Sequence, residues 1–250
     1  MHQFFVEETQ VKDKEIQIIG ADVNHIRNVL RMKLGEQFRV SVLPGIHKSD
    51  SADYFCEITD FRIDTVLVRI LYQDRDSGEL PVAITLFQGL PKSDKMEFVI
   101  QKAVELGVAE IVPVAMKNCV VKLDQKKATA KCIRWQGIAQ SAAKQARRSR
   151  IPKILPMMNF QEAADYAKTL DLCLLPYENE RGMEKTRQLL ASLKKEGSLG
   201  IFIGPEGGFD ESEIARMRGN AEVISLGKRI LRTETAGMVM LSMLLYCLEE

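Results

Sequence analysis

Over residues 1–72 the apolar positions come in short stretches, several of them alternating with polar ones. Residues 4–6, 15–19, 54–58 and 65–70 read as strands, and Gln37-Phe38-Arg39-Val40-Ser41-Val42 keeps a strict period of two. Turns at Pro44-Gly45 and Ile63-Asp64 separate these stretches, a pattern that predicts a small β-barrel. One helical segment, Asn24–Met32, interrupts it, with Ile26, Val29 and Leu30 at helical spacing. Arg27 and Arg31, four apart, then share a helix face. Residues 73–80 are polar, include Gly78 and read as a linker. From residue 81 to 250 strands alternate with helices. The strands are 82–87, 110–114, 154–155, 172–175, 199–203 and 221–225; the helices are 96–106, 126–148, 161–168, 183–195 and 236–248. Such alternation predicts an α/β domain with a parallel sheet. The last helix is apolar nearly all round, which calls for burial within one subunit or partly across a dimer.

Length and composition bound the picture without changing it. The chain has 250 residues, 46% of them hydrophobic, enough for one large or two small domains. Five scattered cysteines, no C-x-x-C and three histidines argue against a disulfide framework or a zinc site, so no metal is expected. Reduced cysteines suit the cytoplasm. The N-terminus carries no secretory pattern, and the longest apolar run, Ala236–Leu248, is too short to span a bilayer.

Charge changes the picture more. The net charge is only +1, yet residues 111–160 hold eleven Lys/Arg against one acid, Asp124, leaving −9 for the remainder. A block of +10 without compensating acids nearby in sequence is the footprint of a nucleic-acid binder.

Two stretches carry candidate chemistry. Leu199–Ile203 is a buried strand, followed by Gly204-Pro205-Glu206-Gly207-Gly208 and then by Asp210 and Glu213 at capping-box spacing. Strand, glycine turn and helix start together indicate a ligand site at the carboxyl end of a parallel sheet. The loop matches neither G-x-G-x-x-G nor a P-loop, and Glu206 would repel a polyphosphate. The second stretch, Leu226-Gly227-Lys228-Arg229-Ile230-Leu231-Arg232-Thr233-Glu234-Thr235-Ala236, follows the strand at 221–225 and leads into the last helix.

The pair GPEGGF and LGKRILRTETA resembles the methyltransferases of the SPOUT class, and within it the RsmE family, which methylates N3 of a uridine in 16S ribosomal RNA. Gln88-Gly89-Leu90-Pro91-Lys92, the helix ending Lys102-Ala103-Val104-Glu105-Leu106-Gly107, and Gln140–Arg148 extend the resemblance over the whole chain. Lys144 and Ala146 depart from a family version with Glu and Cys there, making the stretch more basic. The resemblance implies a PUA-like β-barrel RNA-binding domain over 1–72 and a SPOUT α/β trefoil-knot domain over 81–250. It also implies S-adenosyl-L-methionine as methyl donor, homodimers, and 16S rRNA in the assembled small subunit as partner. Donor contacts then fall on Leu175, Pro176, Gly204, Pro205, Glu206, Gly207, Gly208, Leu226, Gly227, Ile230, Leu231, Arg232 and Thr235. RNA contacts fall on Arg27, Arg31, Lys92, Lys144, Arg147, Arg148 and Arg150. Arg232 is the candidate stabiliser of a uracil anion, and Glu234 the candidate proton acceptor, with Glu206 or water as substitutes.

Three other readings compete. A ribose 2′-O-methyltransferase of the same class typically has an Asn-containing segment where this chain has Ile230–Glu234. A non-catalytic ribosomal RNA-binding protein leaves the glycine loop unexplained. A nucleotide hydrolase lacks the P-loop pattern and metal carboxylates.

Overall fold

The computed structural model describes residues 2–43, 52–74 and 78–249. The turn expected at Pro44-Gly45 and residues 75–77 of the expected linker lie outside them. The chain divides into two compact units: Met1–Glu79 with Ala143–Arg150, and Leu80–Ala142 with Ile151–Glu250. The sequence reading assigns 81–250 to one domain, whereas the octapeptide 143–150 groups with the first unit.

The first unit is built on one six-stranded sheet. Its strands are β1 (Gln3–Glu7), β2 (Val11–Lys12), β3 (Glu15–Ile19), β4 (Gln37–Leu43), β5 (Ala52–Arg62) and β6 (Thr65–Asp74), in the order β1-β4-β5-β6-β3-β2. Every ladder is antiparallel except β1–β4. The period-two alternation sends Phe38 and Val40 into the core beside Phe4, Ile16, Ile18, Ile58, Val66 and Val68. Arg39 and Ser41 take the other face.

On that face a buried polar network ties the octapeptide to the sheet. Gln3 Nε2 donates to Ser41 Oγ and to the Arg148 carbonyl, both at 2.7 Å. The Ser41 and Ser149 hydroxyls donate to Asp53, which Arg39 also meets at 2.8 Å. Arg148 donates Nε to Glu79 Oε1 at 2.9 Å and Nη2 to Oε2 at 2.5 Å, and the side chains are only 5% and 7% exposed.

The helix expected at 24–32 begins and ends three residues earlier and is wider in its second half. It comprises α1 (Ala21–Asn24) and a π-helical turn, His25–Val29, with Leu30 N–H bonded to His25 O at 2.9 Å. Arg31 follows with φ +53°, so it leaves the helix and does not share a face with Arg27.

The second unit is an α/β layer structure with a parallel sheet. In order come β7 (Ala83–Gly89), α2 (Lys95–Glu105), β8 (Glu110–Ala115), α3 (Gln125–Gln145), β9 (Lys153–Ile154), β10 (Met158–Asn159) and α4 (Phe160–Ala167). Then follow β11 (Leu172–Pro176), α5 (Glu184–Ala191), β12 (Ser198–Ile203), α6 (Glu211–Met217), β13 (Glu222–Ile224) and α7 (Thr233–Leu248). Every named ladder is parallel, in the order β10-β8-β7-β12-β11-β13, with β9 also on β8. Strands β7, β8 and β12 are buried at consecutive positions, hence on both faces, as a sheet covered by crossover helices requires. Phe87 of β7 and Phe202 of β12 stack at 4.2 Å between ring centroids. Helix α7 packs on α2, α5 and β12 through Gly237, Met240, Leu241 and Leu244, while Tyr246 is 87% exposed.

Candidate active site

In a parallel sheet all carboxyl ends lie along one edge, and the direction of winding reverses between β7 and β12. Ligands of open α/β sheets bind at such a switch point. Here the segments after β11, β12 and β13 enclose a cavity of about 480 Å³, within the range of small-molecule sites. Pro176, all of Gly204–Gly208, Leu226, Gly227 and Ile230–Arg232 line it, so most donor positions expected from the sequence come together. Two do not line it: Leu175 is fully buried within β11, and Thr235 lies exposed on the first turn of α7. Among the described residues, the amides of Lys228 to Leu231 make no hydrogen bond within the protein, leaving donors for a ligand in the cavity wall.

The glycine loop is pinned from several directions. Asp210 caps α6, its side chain accepting from Ser212 N–H, while Glu213 returns to Asp210 N–H at 2.9 Å. Asn118 Nδ2 donates to the carbonyls of Gly207 and Gly208 at 3.2 and 3.3 Å. Buried Thr233 donates to Gly204 O at 2.6 Å and accepts from Gln88 Nε2 at 2.8 Å, joining the ends of β7 and β12 to the start of α7. Gly89 is required by contact, since a Cβ there would stand 2.7 Å from Pro205 N. Gly208 is required by conformation, with φ +68°.

Sequence reasoning missed Lys95 and Asn118, and it quoted Gln88 and Thr233 within their motifs without giving either a role. Lys95, at the first position of α2, reaches both Glu206 and Glu234 at 3.2 Å. Hydrogen bonds to Glu206 and then Glu234 raise its pKa above the usual lysine value. Burial pushes Glu206 upward, but the amides of Lys92 and of Glu206 itself, together with Lys95, outweigh it and hold the pKa below the ordinary carboxylate value. A carboxylate held below its ordinary value is a weaker base, which counts against Glu206 as the proton acceptor. At the loop's other end Lys117 and the amide and hydroxyl of Ser212 lower Asp210 to about 2. The only sequence clue to Lys95 was its place at a helix start, because its two partners lie more than a hundred residues away.

Arg232 occupies the N-cap position of α7 with extended backbone and lines the cavity. Its side chain is exposed and has no partner among the described residues, so a full guanidinium is available to a ligand.

The RNA-contact candidates are more dispersed. Arg27 donates to the carbonyls of Arg62 and Ile63 and lies over the Phe61 ring, so it is used inside the first unit. Arg148 is buried against Glu79, and Lys144 pairs with Asp22 at 2.8 Å. Arg31 and Arg147 are exposed; Arg150 is exposed and 3.6 Å from Glu79; the Lys92 side chain is exposed while its amide serves Glu206. The basic block is less bare than it reads in sequence. Asp210, Glu97, Asp22 and Glu79, all outside the block, pair with Lys117, Arg134, Lys144 and Arg148.

Among the described residues no group of three or more His, Cys, Asp or Glu is placed to hold a metal ion. Residues 78–245 match the model of an RNA methyltransferase domain. The chain is also similar to the ribosomal RNA small subunit methyltransferase E of Bacillus subtilis, 36% identical over 98% of this chain and 96% of that protein. A crystal structure of a ribosomal RNA small subunit methyltransferase E from Neisseria gonorrhoeae bound to S-adenosyl methionine superposes with a TM-score of 0.79. It is 30% identical and covers 97% of this chain and 96% of that one. A putative methyltransferase of Legionella pneumophila in complex with the same cofactor gives the same TM-score, 0.79, at 30% identity. Residues 78–245 are thus an RNA methyltransferase domain. The chain belongs to the ribosomal RNA small subunit methyltransferase E family.

Proposed function

We propose that the protein methylates N3 of one uridine in 16S rRNA, using S-adenosylmethionine. One observation carries the reading: Pro176, the glycine loop and Leu226–Arg232, distant in sequence, wall a single cavity that also presents an unpaired arginine. The donor carries an adenosine, a carboxylate, an ammonium and a sulfonium but no phosphate. Free backbone amides offer partners for its carboxylate, and Glu178 and Glu206 offer negative charge for its positive centres. Bound there, the donor supplies an electrophilic methyl group.

The residues then divide the work. Uridine N3 carries a weakly acidic proton between two carbonyl oxygens, and its loss leaves charge on the ring. Arg232, permanently charged and rich in donors, stabilises that anion. The proton passes to Glu234 or to water; Glu206, held ionised by Lys95 and two amides, stays a fixed charge. Positioning of donor and base supplies a further part of the acceleration.

In this reading the first unit is a PUA-like barrel that holds RNA, the second a SPOUT domain with a trefoil knot, and the exposed side of α7 around Tyr246 the surface of a homodimer. The enzyme works in the cytoplasm on the assembled small subunit. Five free cysteines agree with that compartment, and no helix among the described residues is long and apolar enough to cross a membrane. Isothermal calorimetry with S-adenosylmethionine tests the class directly. One saturable site is expected, and absence of binding would leave the non-catalytic RNA-binding protein as the better reading.

A further inference from the structure

The cations of this protein differ in how they are partnered. In the basic helix and its continuation Arg134, Lys144 and Arg148 are tied to carboxylates, while Lys122, Lys126 and Arg147 are exposed with no ion pair among the described residues. Around the cavity unpaired cations converge on one small volume. Arg181, Lys228, Arg229 and Arg232 line it, all are exposed, and none has a hydrogen bond or ion pair among the described residues. The remaining lysine of the cavity, Lys95, is already neutralised by Glu206 and Glu234. The carboxylates that line the cavity are Glu206, so engaged, and Glu178.

The methyl donor does not account for these four charges. It brings one carboxylate against an ammonium and a sulfonium, so it is itself a net cation. Four unpaired cations around its cavity call for a second, polyanionic ligand. Ile230 stands between Arg229 and Arg232 and is 87% exposed, a large apolar side chain flanked by cations. Apolar side chains flanked by cations are used against nucleic acid to lie against a base step that has lost its stacking partner. Taking the target base out of its stack creates such a step.

We infer that Arg181, Lys228 and Arg229 bind the phosphodiester backbone flanking the target nucleotide, with Ile230 against the exposed base. The cavity rim, and not the basic helix, is then the main electrostatic grip of the second unit on RNA. This rests on the RNA methyltransferase reading above and adds the surface that receives the strand. Phosphate contacts of this kind position RNA without reading its sequence.

The test compares two triple variants of the full chain. One is Arg181→Gln/Lys228→Gln/Arg229→Gln. The other is Lys122→Gln/Lys126→Gln/Lys153→Gln, three exposed cations of the second unit away from the cavity. Binding of purified small ribosomal subunits is titrated between low and moderate salt, with S-adenosylmethionine affinity measured alongside. Each lost phosphate contact removes about 0.7–0.9 from the slope of log K against log salt. The rim variant should lose about two units of slope and bind subunits at least about tenfold more weakly at low salt, while the control keeps the wild-type slope. A rim variant with wild-type slope, or loss confined to the control, overturns the inference. Failure of the wild type to bind S-adenosylmethionine counts against the class reading instead, and the slope comparison still reports on the surface.

Discussion

Arg232→Ala lowers the rate of methyl transfer by about two to three orders of magnitude, the size of effect seen when one preorganised donor to a developing oxyanion is removed. Donor affinity stays close to wild type, because the side chain makes no hydrogen bond or ion pair among the described residues and the N-cap position uses only its backbone. The Arg232 carbonyl accepts from Thr235 and Ala236 at 2.9 and 2.8 Å, bonds that alanine preserves. Arg232→Lys keeps charge but loses the planar fork, so it recovers only part of the rate. Single-turnover kinetics with saturating donor and subunit separates this from an RNA-binding defect. Unchanged turnover in Arg232→Ala would remove the residue from the chemistry.

Arg148→Ala is the largest stability effect expected anywhere in the first unit. It leaves the Glu79 carboxylate, 7% exposed, without its bidentate partner. Breaking a buried pair from one side costs about 3–5 kcal/mol, because a charge is left buried. Arg150 at 3.6 Å and the Ser149 amide at 2.9 Å still face Glu79, so the lower end of that range is expected. Replacing both partners together, as Glu79→Leu/Arg148→Met, costs much less, since no charge is then left buried. Arg147→Gln, exposed beside it, changes stability by less than about 0.5 kcal/mol. Urea unfolding followed by circular dichroism reads all three. Equal, small effects for Arg147 and Arg148 would mean that the octapeptide 143–150 is not held by this pair. The contrast also matters for function: two neighbouring arginines of one basic run have different work, and only burial tells them apart.

What could be read in the sequence follows from where the determinants lie. Strands such as Phe38-Arg39-Val40 and Leu199–Ile203 declare themselves because alternation and continuous burial are local patterns. The capping box at Asp210 and Glu213 is likewise local, and it forms as expected. Leu226–Arg232 became a candidate wall only through its resemblance to the SPOUT methyltransferases, whereas Gly204–Gly208 was legible as a ligand loop because strand, glycine turn and helix start are consecutive in sequence. Lys95, Asn118 and the Gln88–Thr233–Gly204 chain were not, because each acts on partners brought close only by the parallel ordering of β7 and β12. The π-helical turn after Asn24 was hidden because Ile26, Val29 and Leu30 fit an ordinary helix equally well. The basic block looks different in the structure for a related reason. Sequence counts charges but does not see Glu79, Asp22 or Glu97 arriving from elsewhere.

The central claim concerns one base and one atom. The most direct measurement is a map of modified nucleosides in 16S rRNA from a strain lacking this protein, by mass spectrometry of nuclease fragments. Loss of a single 3-methyluridine, restored by the wild-type chain and not by Arg232→Ala, is the result predicted. A complete set of modifications in that strain, with 3-methyluridine in place, would contradict the account.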